Sequence, residues 1–467
     1  MRRIVIVGGG YAGFYTAWKL EKHLKRSEAE LVIIDPRPYM TYQPFLPEVA
    51  AGSVEARHAA ISLRSHLKRT RIIAGSALMI SHADKAVTVH PADGPDFVVD
   101  YDIIVVTAGA VTRKLPIPGA DEVAIGMKHV EEAVAIRDRL LTAFDRASVM
   151  EPGPERSRLL TVVFVGGGFS GVEGFGELLS LATSLLKSYA EISFSDLSFH
   201  LVEASDRILP EVTDAPGRWV VKSLRARGGH VHLNARVVSA VDGHVVLSNG
   251  EEFDANLVVW TAGNGAHPVI SKHTDLPTDE RGRLLVRADL RVGTADAAVP
   301  DAWGAGDNAA IPDLASPVPG ALTVPNAQHA VRQGKRLAAN IAASLRGERI
   351  RDYRHDSLGV VATLGLGRGI FQYKRIVITG LLAWLMHRGY HVLAIPTWQR
   401  KIRVLVVWLT AFVLGRDIVS LLSVQDPRGA FVTGGVPHAR VSEGHATSPA
   451  EPEASSQAAR RLAGTPG

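Results

Sequence analysis

Short apolar runs rich in β-branched residues recur along the chain and predict buried strands. The run IVIV at residues 4–7 and the run LVII at residues 31–34 flank an amphipathic pattern at 15–24 that predicts a helix. The same order of strand, helix and strand recurs within residues 161–202. Strands buried on both faces of a parallel sheet read as continuous apolar runs, and helices join them. The pattern therefore predicts an α/β fold with parallel sheets.

The first predicted strand ends in a glycine-rich turn. Gly8, Gly10 and Gly13 have the spacing G-x-G-x-x-G between a strand and a helix, and the second strand ends on Asp35. In such a turn the glycines allow a tight bend, close approach of a pyrophosphate and close packing of helix on strand, and the acid binds a ribose. These residues predict a dinucleotide site. The alternative interpretation is a tight turn followed by a surface aspartate.

A second copy of this pattern occurs mid-chain, in the segment TVVFVGGGFSGVEGFGEL. Its glycines are Gly166, Gly168 and Gly171, and the following strand ends on Glu203. A carboxylate in this position favours the free 2′-hydroxyl of NAD(H) and repels the extra phosphate of NADP. Arg207 indicates the opposite preference, because a nearby arginine can accommodate that phosphate. We expect Arg207 to be a solvated loop cation.

Two later strands resemble each other and end in the same way. The segment IIVVTAG ends at Gly109 and the segment LVVWTAG ends at Gly263, which brings the main chain close to a cofactor in each case. Two glycine turns and two such strands predict two Rossmann-like dinucleotide-binding domains, the second inserted in the first. The predicted boundaries are 1–120 and 271–350 for the first domain and 121–270 for the second.

Two polar residues beyond the second of these strands are further candidates for the site. Asp307 lies in the glycine-rich segment AWGAGDNA, where an aspartate is either a turn former or a ligand of a flavin's ribityl chain. Gln328 lies in the first turn of a helix predicted at residues 326–345. The N-terminal dipole of that helix would stabilise negative charge on a reduced cofactor.

The composition limits the chemistry of such a site. The chain of 467 residues has no cysteine, which excludes disulfide scaffolds, cysteine-ligated metal clusters and thiol nucleophiles. Any redox chemistry must therefore be carried by a bound cofactor. The formal net charge of +5 is small for this length and does not indicate a nucleic-acid partner. The first apolar run has four residues, too few for a secretory signal of about 7–15, so we expect an unexported protein.

The predicted C-terminal region, residues 351–434, has a different character. Residues 357–416 contain eight Lys or Arg residues and no Asp or Glu, and tryptophans lie within and between two apolar blocks at 376–386 and 404–414. Each block has about eleven residues, short of the roughly 20 that span a bilayer. The pattern predicts membrane-associating helices that lie in an anionic interface, with a buried dimer interface as the alternative. The tail at 435–467 is rich in Ala, Pro, Ser and Glu and is predicted to be disordered.

His387 and His391 lie in this region at i and i+4, a spacing that suits two ligands of one metal ion. No carboxylate or cysteine lies near them in the sequence. We therefore expect both to be core or interface residues, and we predict no metal site.

The order of these motifs resembles the flavoproteins with two dinucleotide-binding domains, over about residues 1–345. Three segments, GGGFSGVEGFGEL, LVEASDRILPEV and PNAQHAVRQG, are similar to those of the type II NADH:quinone oxidoreductases, single-subunit respiratory enzymes that do not pump protons. The disulfide-reductase and sulfide:quinone branches of the superfamily need redox cysteines, which this chain lacks.

The resemblance implies a role for each candidate residue. It implies that FAD is bound by Gly8, Gly10, Gly13, Asp35 and Asp307, and that NADH is bound by Gly166, Gly168, Gly171 and Glu203. It places Glu173, in the first turn of the second glycine-rich helix, at the nicotinamide. It places Gln328 near the quinone side of the flavin.

The resemblance also implies an enzyme that transfers two electrons from NADH through FAD to a membrane quinone. The expected location is the cytoplasmic side of the cell membrane, with the protein held peripherally on the bilayer surface and a homodimer left open. One alternative is a soluble flavin reductase that passes electrons to a ferredoxin-like protein. Another is a non-enzymatic flavoprotein that binds NADH as a signal or docking scaffold.

Overall fold

The computed structural model describes residues 1–113, 115–416 and 418–420, and everything below concerns these residues. The tail predicted at 435–467, and the part of the predicted C-terminal region beyond residue 420, lie outside the described residues.

The helices are numbered in chain order. They are α1 Tyr11–His23, α2 Leu46–Ala50, α3 Leu63–His66, α4 Ala120–Val123, α5 Val130–Ser148, α6 Pro154–Leu159, α7 Phe169–Leu185, α8 Asp214–Arg225, α9 Pro268–Ser271, α10 Ala327–Leu345, α11 Leu381–Ala394 and α12 Trp398–Leu414.

The strands are numbered in the same way. They are β1 Arg2–Val7, β2 Ala29–Asp35, β3 Tyr39–Thr41, β4 Ala60–Ser62, β5 Thr70–Ser81, β6 Ala86–Pro91, β7 Phe97–Asp100, β8 Ile103–Val106, β9 Ala110–Thr112, β10 Ala124–Gly126, β11 Thr161–Val165, β12 Ser198–Val202, β13 Gly229–His232, β14 Val237–Ser239, β15 His244–Leu247, β16 Glu252–Asp254, β17 Leu257–Trp260, β18 Asn264–Ala266, β19 Leu284–Leu285, β20 Arg291–Gly293, β21 Ala298–Gly304, β22 Ala309–Ala310, β23 Val360–Thr363, β24 Gly369–Tyr373 and β25 Ile376–Thr379.

The first large sheet has the order β20-β21-β8-β1-β2-β5-β6-β7. Its five central strands, from β21 to β5, are parallel, and antiparallel strands complete both edges. In the centre, Ile4 pairs with Leu31 on one side and with Ile103 on the other, and all three side chains are buried. Burial on both faces explains why these strands read as continuous apolar runs. The predicted strands at residues 4–7 and 31–34 are confirmed.

The second large sheet, β10-β17-β11-β12-β13, is parallel throughout. Its strands all come from residues 124–260, whereas the strands of the first sheet come before residue 107 and after residue 290. The α/β fold with a second Rossmann-like unit inserted in the first is therefore confirmed. Where the chain crosses between the sheets, β9 and β18 pair as a short antiparallel ribbon. The domain boundaries proposed above remain predictions.

The predicted apolar block at 376–386 does not form one helix. Residues Ile376–Thr379 form β25, the last strand of the antiparallel sheet β23-β24-β25, and α11 begins only after Gly380. The cause is local: three of these four residues have branched aliphatic side chains that favour a strand, and Gly380 adopts a φ of +75° that ends it. The second block, at 404–414, lies within α12 as predicted.

No helix in the described part of the chain is long and apolar enough to cross a membrane. Helices α11 and α12 each have two faces. The buried face of α11 carries Ala383, Trp384, His387, Arg388, His391 and Val392. The outer faces of both helices carry large apolar side chains, among which Leu393 and Trp398 are 75% and 74% exposed. An amphipathic pair is therefore present, although only one of the two apolar blocks is entirely helical.

Candidate functional site

The two glycine turns have the same geometry. Gly8 and Gly166 both have positive φ, at +99° and +111°, which side chains rarely allow. A Cβ added at Gly13 would overlap the carbonyl oxygen of Gly8, and one added at Gly171 would overlap that of Gly166. The first and third glycines of each turn are therefore required by the fold itself, because they bring helix and strand together.

The middle glycine of each turn is not required by the packing of helix on strand. A Cβ added at Gly10 or Gly168 would meet no atom of the described residues within 4 Å. Both glycines are N-cap residues, of α1 and α7 respectively, and both line an open cavity. Open space at the positive end of a helix suits a pyrophosphate, so both turns pass a geometric test for a dinucleotide.

The two acids at the strand ends also correspond. Asp35 accepts hydrogen bonds from Gly9 N at 2.6 Å and from Arg37 N at 2.7 Å. Glu203 accepts from Gly167 N at 2.6 Å and from Ser205 N at 2.8 Å. Each carboxylate thus fixes the glycine turn while it keeps further acceptor capacity for a ribose hydroxyl. Burial raises the pKa of Asp35.

A threonine clamps each turn, and sequence reasoning missed it. Thr107 Oγ1 donates toward the carbonyl oxygens of Val7 and Gly8, at 3.0 and 2.9 Å. Thr261 Oγ1 lies in the same way near the carbonyl oxygens of Val165 and Gly166, at 2.9 and 3.2 Å. The signal was present, since both threonines belong to the repeated segment T-A-G that ends at Gly109 and Gly263.

One cavity of about 1120 Å³ joins most of the predicted site residues. It is lined by Gly8, Gly10, Asp35, Gly109, Gly168, Gly171, Glu173, Asp307 and Gln328. Gly13, Gly166, Glu203 and Gly263 are not part of its lining among the described residues. The cavity continues past the C-terminal end of α11, where Leu393, Pro396 and Lys401 line it. It therefore connects both glycine turns with the exposed apolar helices.

Charged groups lie along the cavity at Asp307 and Lys128. Burial raises the pKa of Asp307, and the Lys128 ammonium opposes this shift. Burial also lowers the pKa of Lys128. The neighbouring Gly306 N donates to Gln333 Oε1 at 2.8 Å, which fixes the loop of Asp307 to α10. Asn326 caps α10 by accepting from His329 N at 2.9 Å, so that the helix begins at the cavity wall.

Gln328 lies at this wall in the first turn of α10. Its Nε2 donates to the carbonyl oxygen of Gly359 at 3.2 Å, which fixes the amide close to the start of β23. Its place on the cavity, between the first glycine turn and the C-terminal region, agrees with the prediction that it lies in the site.

Glu173 makes contacts that were not predicted. Its Oε1 accepts from Thr363 N at 3.0 Å and lies 3.3 Å from His387 Nε2. No carboxylate lies near His387 and His391 in the sequence, but the expectation that none lies near them in the structure is wrong. Helix α7 brings Glu173 to α11 from a distant part of the sequence. Within residues 1–420, apart from the two gaps, no group of three or more His, Cys, Asp or Glu side chains could hold a metal ion.

Two of the eight C-terminal cations are buried and paired. Arg388 lies between the rings of Trp384 and Trp408, at 4.2 and 4.5 Å from their centroids, and 3.4 Å from Glu48 Oε1. Arg416 lies 3.1 Å from Glu177 Oε2. These two cations therefore do not contribute to the positive charge that the sequence pattern assigns to an anionic interface, because acids from α2 and α7 neutralise them inside the protein.

Arg207 is not a free loop cation either. Its guanidinium lies 2.6 Å from Asp214 Oδ1, and its side chain is about one third exposed. Arg207 follows β12 closely in the sequence, but it pairs with Asp214. Glu203 is therefore the acid that contacts the glycine turn, without an ion pair to Arg207.

Two glycine turns of one build, opening into one cavity, define a protein of the class that binds two dinucleotides next to each other. Residues 2–334 match the pyridine nucleotide-disulphide oxidoreductase family, and the chain belongs to this family. It has no cysteine, so it lacks the thiols that the family name refers to.

Known proteins support the more specific resemblance. The type II NADH:quinone oxidoreductase Ndh of Mycobacterium tuberculosis is 26% identical over 427 residues, which cover 89% of each chain. That of Staphylococcus epidermidis is 28% identical and covers 79% of this chain and 89% of its own. The structure of NDH2 from Plasmodium falciparum in complex with NADH has a TM-score of 0.81 at 17% identity, covering 90% of this chain and 99% of its own. The resemblance to the type II NADH:quinone oxidoreductases is confirmed.

Proposed function

We propose that this protein oxidises NADH and passes the two electrons through FAD to a membrane quinone. The observation that carries the proposal is the single cavity, which joins both glycine turns and reaches the exposed apolar helices α11 and α12. A reaction between two dinucleotides and an apolar third partner needs such an arrangement, because each reactant must approach the same redox group.

The first glycine turn suits FAD. Gly8, Gly10 and Gly13 would hold the pyrophosphate at the start of α1, Asp35 would bind the adenosine ribose, and Gly109 and Asp307 would lie along the rest of the cofactor. When bound there, FAD would supply the two-electron chemistry that this cysteine-free chain lacks.

The second glycine turn suits NADH. Gly166, Gly168 and Gly171 would hold its pyrophosphate at the start of α7, and Gly263 follows β17, the strand that returns beside this turn. Glu203 would bind the ribose 2′-hydroxyl, and Arg207 is already paired with Asp214, so we propose NADH rather than NADPH.

The residues of the chain act mainly by positioning. Glu173 lies on the cavity one turn into α7, and we infer that it orients the nicotinamide carboxamide. Gln328, held at the opposite wall by Gly359, would contact the quinone. Apolar side chains around the α11 end of the cavity would exclude water from the reacting atoms.

We further propose that the protein lies peripherally on the cytoplasmic side of the cell membrane. Ile402, Leu405, Leu409 and Val413 form an exposed stripe along α12, and Lys374 and Arg375 precede α11. Such a face would enter the headgroup region and attract anionic lipid. The nearby end of the cavity would then open toward the quinone pool. We propose no nucleic-acid partner.

The central experiment follows the two half-reactions of the full chain. Purified protein should show a flavin spectrum, NADH should bleach it, and a quinone analogue should restore it. Gln328→Ala should slow restoration by quinone more than bleaching by NADH, and equal losses in both would contradict the role of Gln328. Failure of every quinone analogue to restore the spectrum would favour a scaffold, and reoxidation only by a ferredoxin-like protein would favour a soluble reductase.

The membrane proposal has its own test. The double variant Leu405→Glu/Leu409→Glu removes two leucines that are each worth about 1.5–3 kcal/mol when buried in an apolar phase. Flotation with anionic vesicles should therefore show binding reduced by on the order of 10²-fold. Val149→Glu is the matched control, because Val149 is an exposed apolar residue at the far end of α5. Equal flotation of both variants would contradict the proposed membrane face.

A further inference from the structure

A buried tyrosine–histidine pair lies at the end of the cavity next to α11. Tyr42 Oη lies 3.0 Å from His391 Nδ1 and 3.4 Å from the carbonyl oxygen of His391. Both side chains are almost fully buried, and both line the cavity beside Tyr390, Leu393 and Ile395. The pair therefore joins a titratable hydroxyl to a titratable ring at the α11 end of the cavity, where His387 lies between His391 and Glu173 of α7.

The proposed reaction requires one proton that NADH does not supply. Oxidation of NADH releases a hydride, which is two electrons and one proton. A quinone must take up two electrons and two protons to become a quinol. The second proton must come from the medium, and a positioned donor in the site accelerates such a transfer by about 10²–10⁴-fold.

We propose that Tyr42, held by His391, is the catalytic acid that donates this proton to a quinone oxygen. The inference rests on the proposed function. In the step the O–H bond of Tyr42 breaks and an O–H bond of the quinol forms, while the two electrons come from NADH by way of the flavin. Neutral His391, in the tautomer with its proton on Nδ1, donates a hydrogen bond to the tyrosinate oxygen, and the medium returns the proton to Tyr42 before the next turnover.

The surroundings keep the pair in the state that this role needs. Burial raises the pKa of Tyr42, so the hydroxyl is protonated at neutral pH and gives up its proton only to a strongly basic oxygen, such as that of a quinone that has taken up two electrons. Burial, and then the neighbouring His387, lower the pKa of His391, so the ring is neutral. Other titratable groups near the pair include Tyr11 and Tyr15 from α1, His387 and Tyr390 from α11, and Lys401 from α12, with Glu173 from α7 and Glu48 from α2 beyond His387.

Tyr42 differs from the nearby Tyr11 in one respect. The hydroxyl of Tyr11 is buried and has no hydrogen-bond partner among the described residues, whereas that of Tyr42 has a ring nitrogen in reach. The main chain of Gln43 opposes the rise of the Tyr11 pKa on burial, but no titratable ring of the described residues lies in hydrogen-bond reach of Tyr11. The geometry thus selects Tyr42 among the two aromatic hydroxyls whose rings pack edge to face at 5.9 Å.

The test uses two electron acceptors in rapid-mixing experiments with the full chain. Menadione takes protons with its electrons, and ferricyanide takes electrons alone. Tyr42→Phe should reoxidise about 10²-fold more slowly with menadione and at an unchanged rate with ferricyanide. His391→Gln, whose amide can still reach the hydroxyl, should give a smaller loss with menadione only.

The control is Tyr101→Phe. Tyr101 Oη lies 3.0 Å from His82 Nδ1, so this variant removes the same kind of bond at a place outside the cavity. Equal menadione rates for Tyr42→Phe and Tyr101→Phe would overturn the inference but leave the proposed function intact. If the unaltered protein reduces ferricyanide but no quinone, the proposed function itself fails, and the inference fails with it.

A second measurement serves if Tyr42→Phe loses its flavin. The unaltered protein should then be compared in H₂O and D₂O. We expect reoxidation by menadione to slow about twofold or more in D₂O and reoxidation by ferricyanide to be unaffected, because proton transfer limits only the former. Identical rates with menadione in both solvents would overturn the inference.

Discussion

The glycine turns and the C-terminal region are organised by different physics. Each turn is a local structure, in which the strand, three glycines, the helix and the acid lie within about forty residues of one another. The C-terminal region is held by distant contacts, since Arg388 reaches Glu48 and Arg416 reaches Glu177. A single glycine substitution can therefore test the structure of a turn. The C-terminal region depends instead on ion pairs between residues that are close only in the folded chain.

The largest effect is expected at the third glycine of the first turn. In Gly13→Ala the new methyl group would overlap the carbonyl oxygen of Gly8, a main-chain atom that cannot move without opening the turn. The purified variant should contain almost no flavin, as measured by the ratio of absorbance at flavin and protein wavelengths. Gly171→Ala has the same geometry in the second turn and should keep its flavin while it loses NADH-dependent bleaching.

Gly217→Ala is the control for both variants. Gly217 lies in α8, and the new methyl group would be 3.5 Å from the carbonyl oxygen of Ile208, which is an ordinary van der Waals contact. Its flavin content and NADH response should stay near normal. If Gly13→Ala kept a full complement of flavin, the first turn would not require glycine at this position, and the proposed difference between Gly13 and the control glycine would be wrong.

The second effect concerns the buried pair Arg388–Glu48. Removing one partner of a buried ion pair leaves the other charge uncompensated, which costs about 3–5 kcal/mol. Arg388→Met should lower stability by this amount, because Glu48 is fully buried and, among the described residues, its carboxylate would keep only the 3.0 Å hydrogen bond from Trp408 Nε1. Denaturant unfolding followed by tryptophan fluorescence measures the change.

A double variant separates charge from packing at this site. Glu48→Leu/Arg388→Met removes both charges and should recover most of the loss, since a well-packed apolar replacement is often neutral. Arg375→Met removes an exposed cation of the same region and should change stability by no more than about 0.5 kcal/mol. A double variant as unstable as the single would mean that packing of the two tryptophans on Arg388, rather than charge, holds the helices.

The third effect is acid sensitivity of the second sheet. Burial, with His230 and His232 nearby, lowers the pKa of His200 to about 3 from its ordinary value near 6.5. The unfolded chain therefore binds a proton between these values and the folded chain does not, so stability is present above pH 6.5 and falls as the pH drops toward 3. From pH 8 to pH 5 this loss is about 2 kcal/mol.

His200→Phe should remove that loss. The ring stacks on Phe253 at 3.8 Å between centroids, so a phenyl group can take its place at the cost of the bonds to Ser198 and His232. Denaturation midpoints at pH 8 and pH 5 should move closer together in the variant than in the unaltered protein. An exposed histidine, His273, offers the control His273→Phe, which should leave the separation of the midpoints nearly unchanged.

The contrast between the regions also explains what sequence reasoning could reach. The first glycine turn could be predicted from the sequence. Its structure depends on contacts among Gly8, Gly10, Gly13 and Asp35, which all lie in one short segment of the chain. The strand at 376–379 was mistaken for helix because its apolar pattern is ambiguous until β24 pairs with it. The contact of Glu173 with His387 joins residues more than two hundred positions apart, and no local pattern encodes it.

The smallest effect tests the residue where the two regions meet. Glu173 belongs to the helix of the second turn, yet its carboxylate contacts Thr363 N and His387 of the C-terminal region. In Glu173→Gln the amide oxygen can still accept from Thr363, so the fold should persist. The lost negative charge and acceptor should raise the KM for NADH about tenfold, near 1.4 kcal/mol, if the carboxylate orients the carboxamide.

Glu177→Gln distinguishes this role from a structural one. Glu177 lies one turn further along α7, accepts from Thr363 Oγ1 at 2.7 Å and pairs with Arg416, but does not line the cavity. If Glu173 acts on NADH, only Glu173→Gln raises the KM, and Glu177→Gln lowers stability instead because Arg416 loses its partner. Unchanged NADH affinity and turnover in Glu173→Gln would contradict a role of Glu173 in NADH binding. Its role would then be structural, because its contacts with Thr363 and His387 attach the C-terminal region to the helix of the second glycine turn.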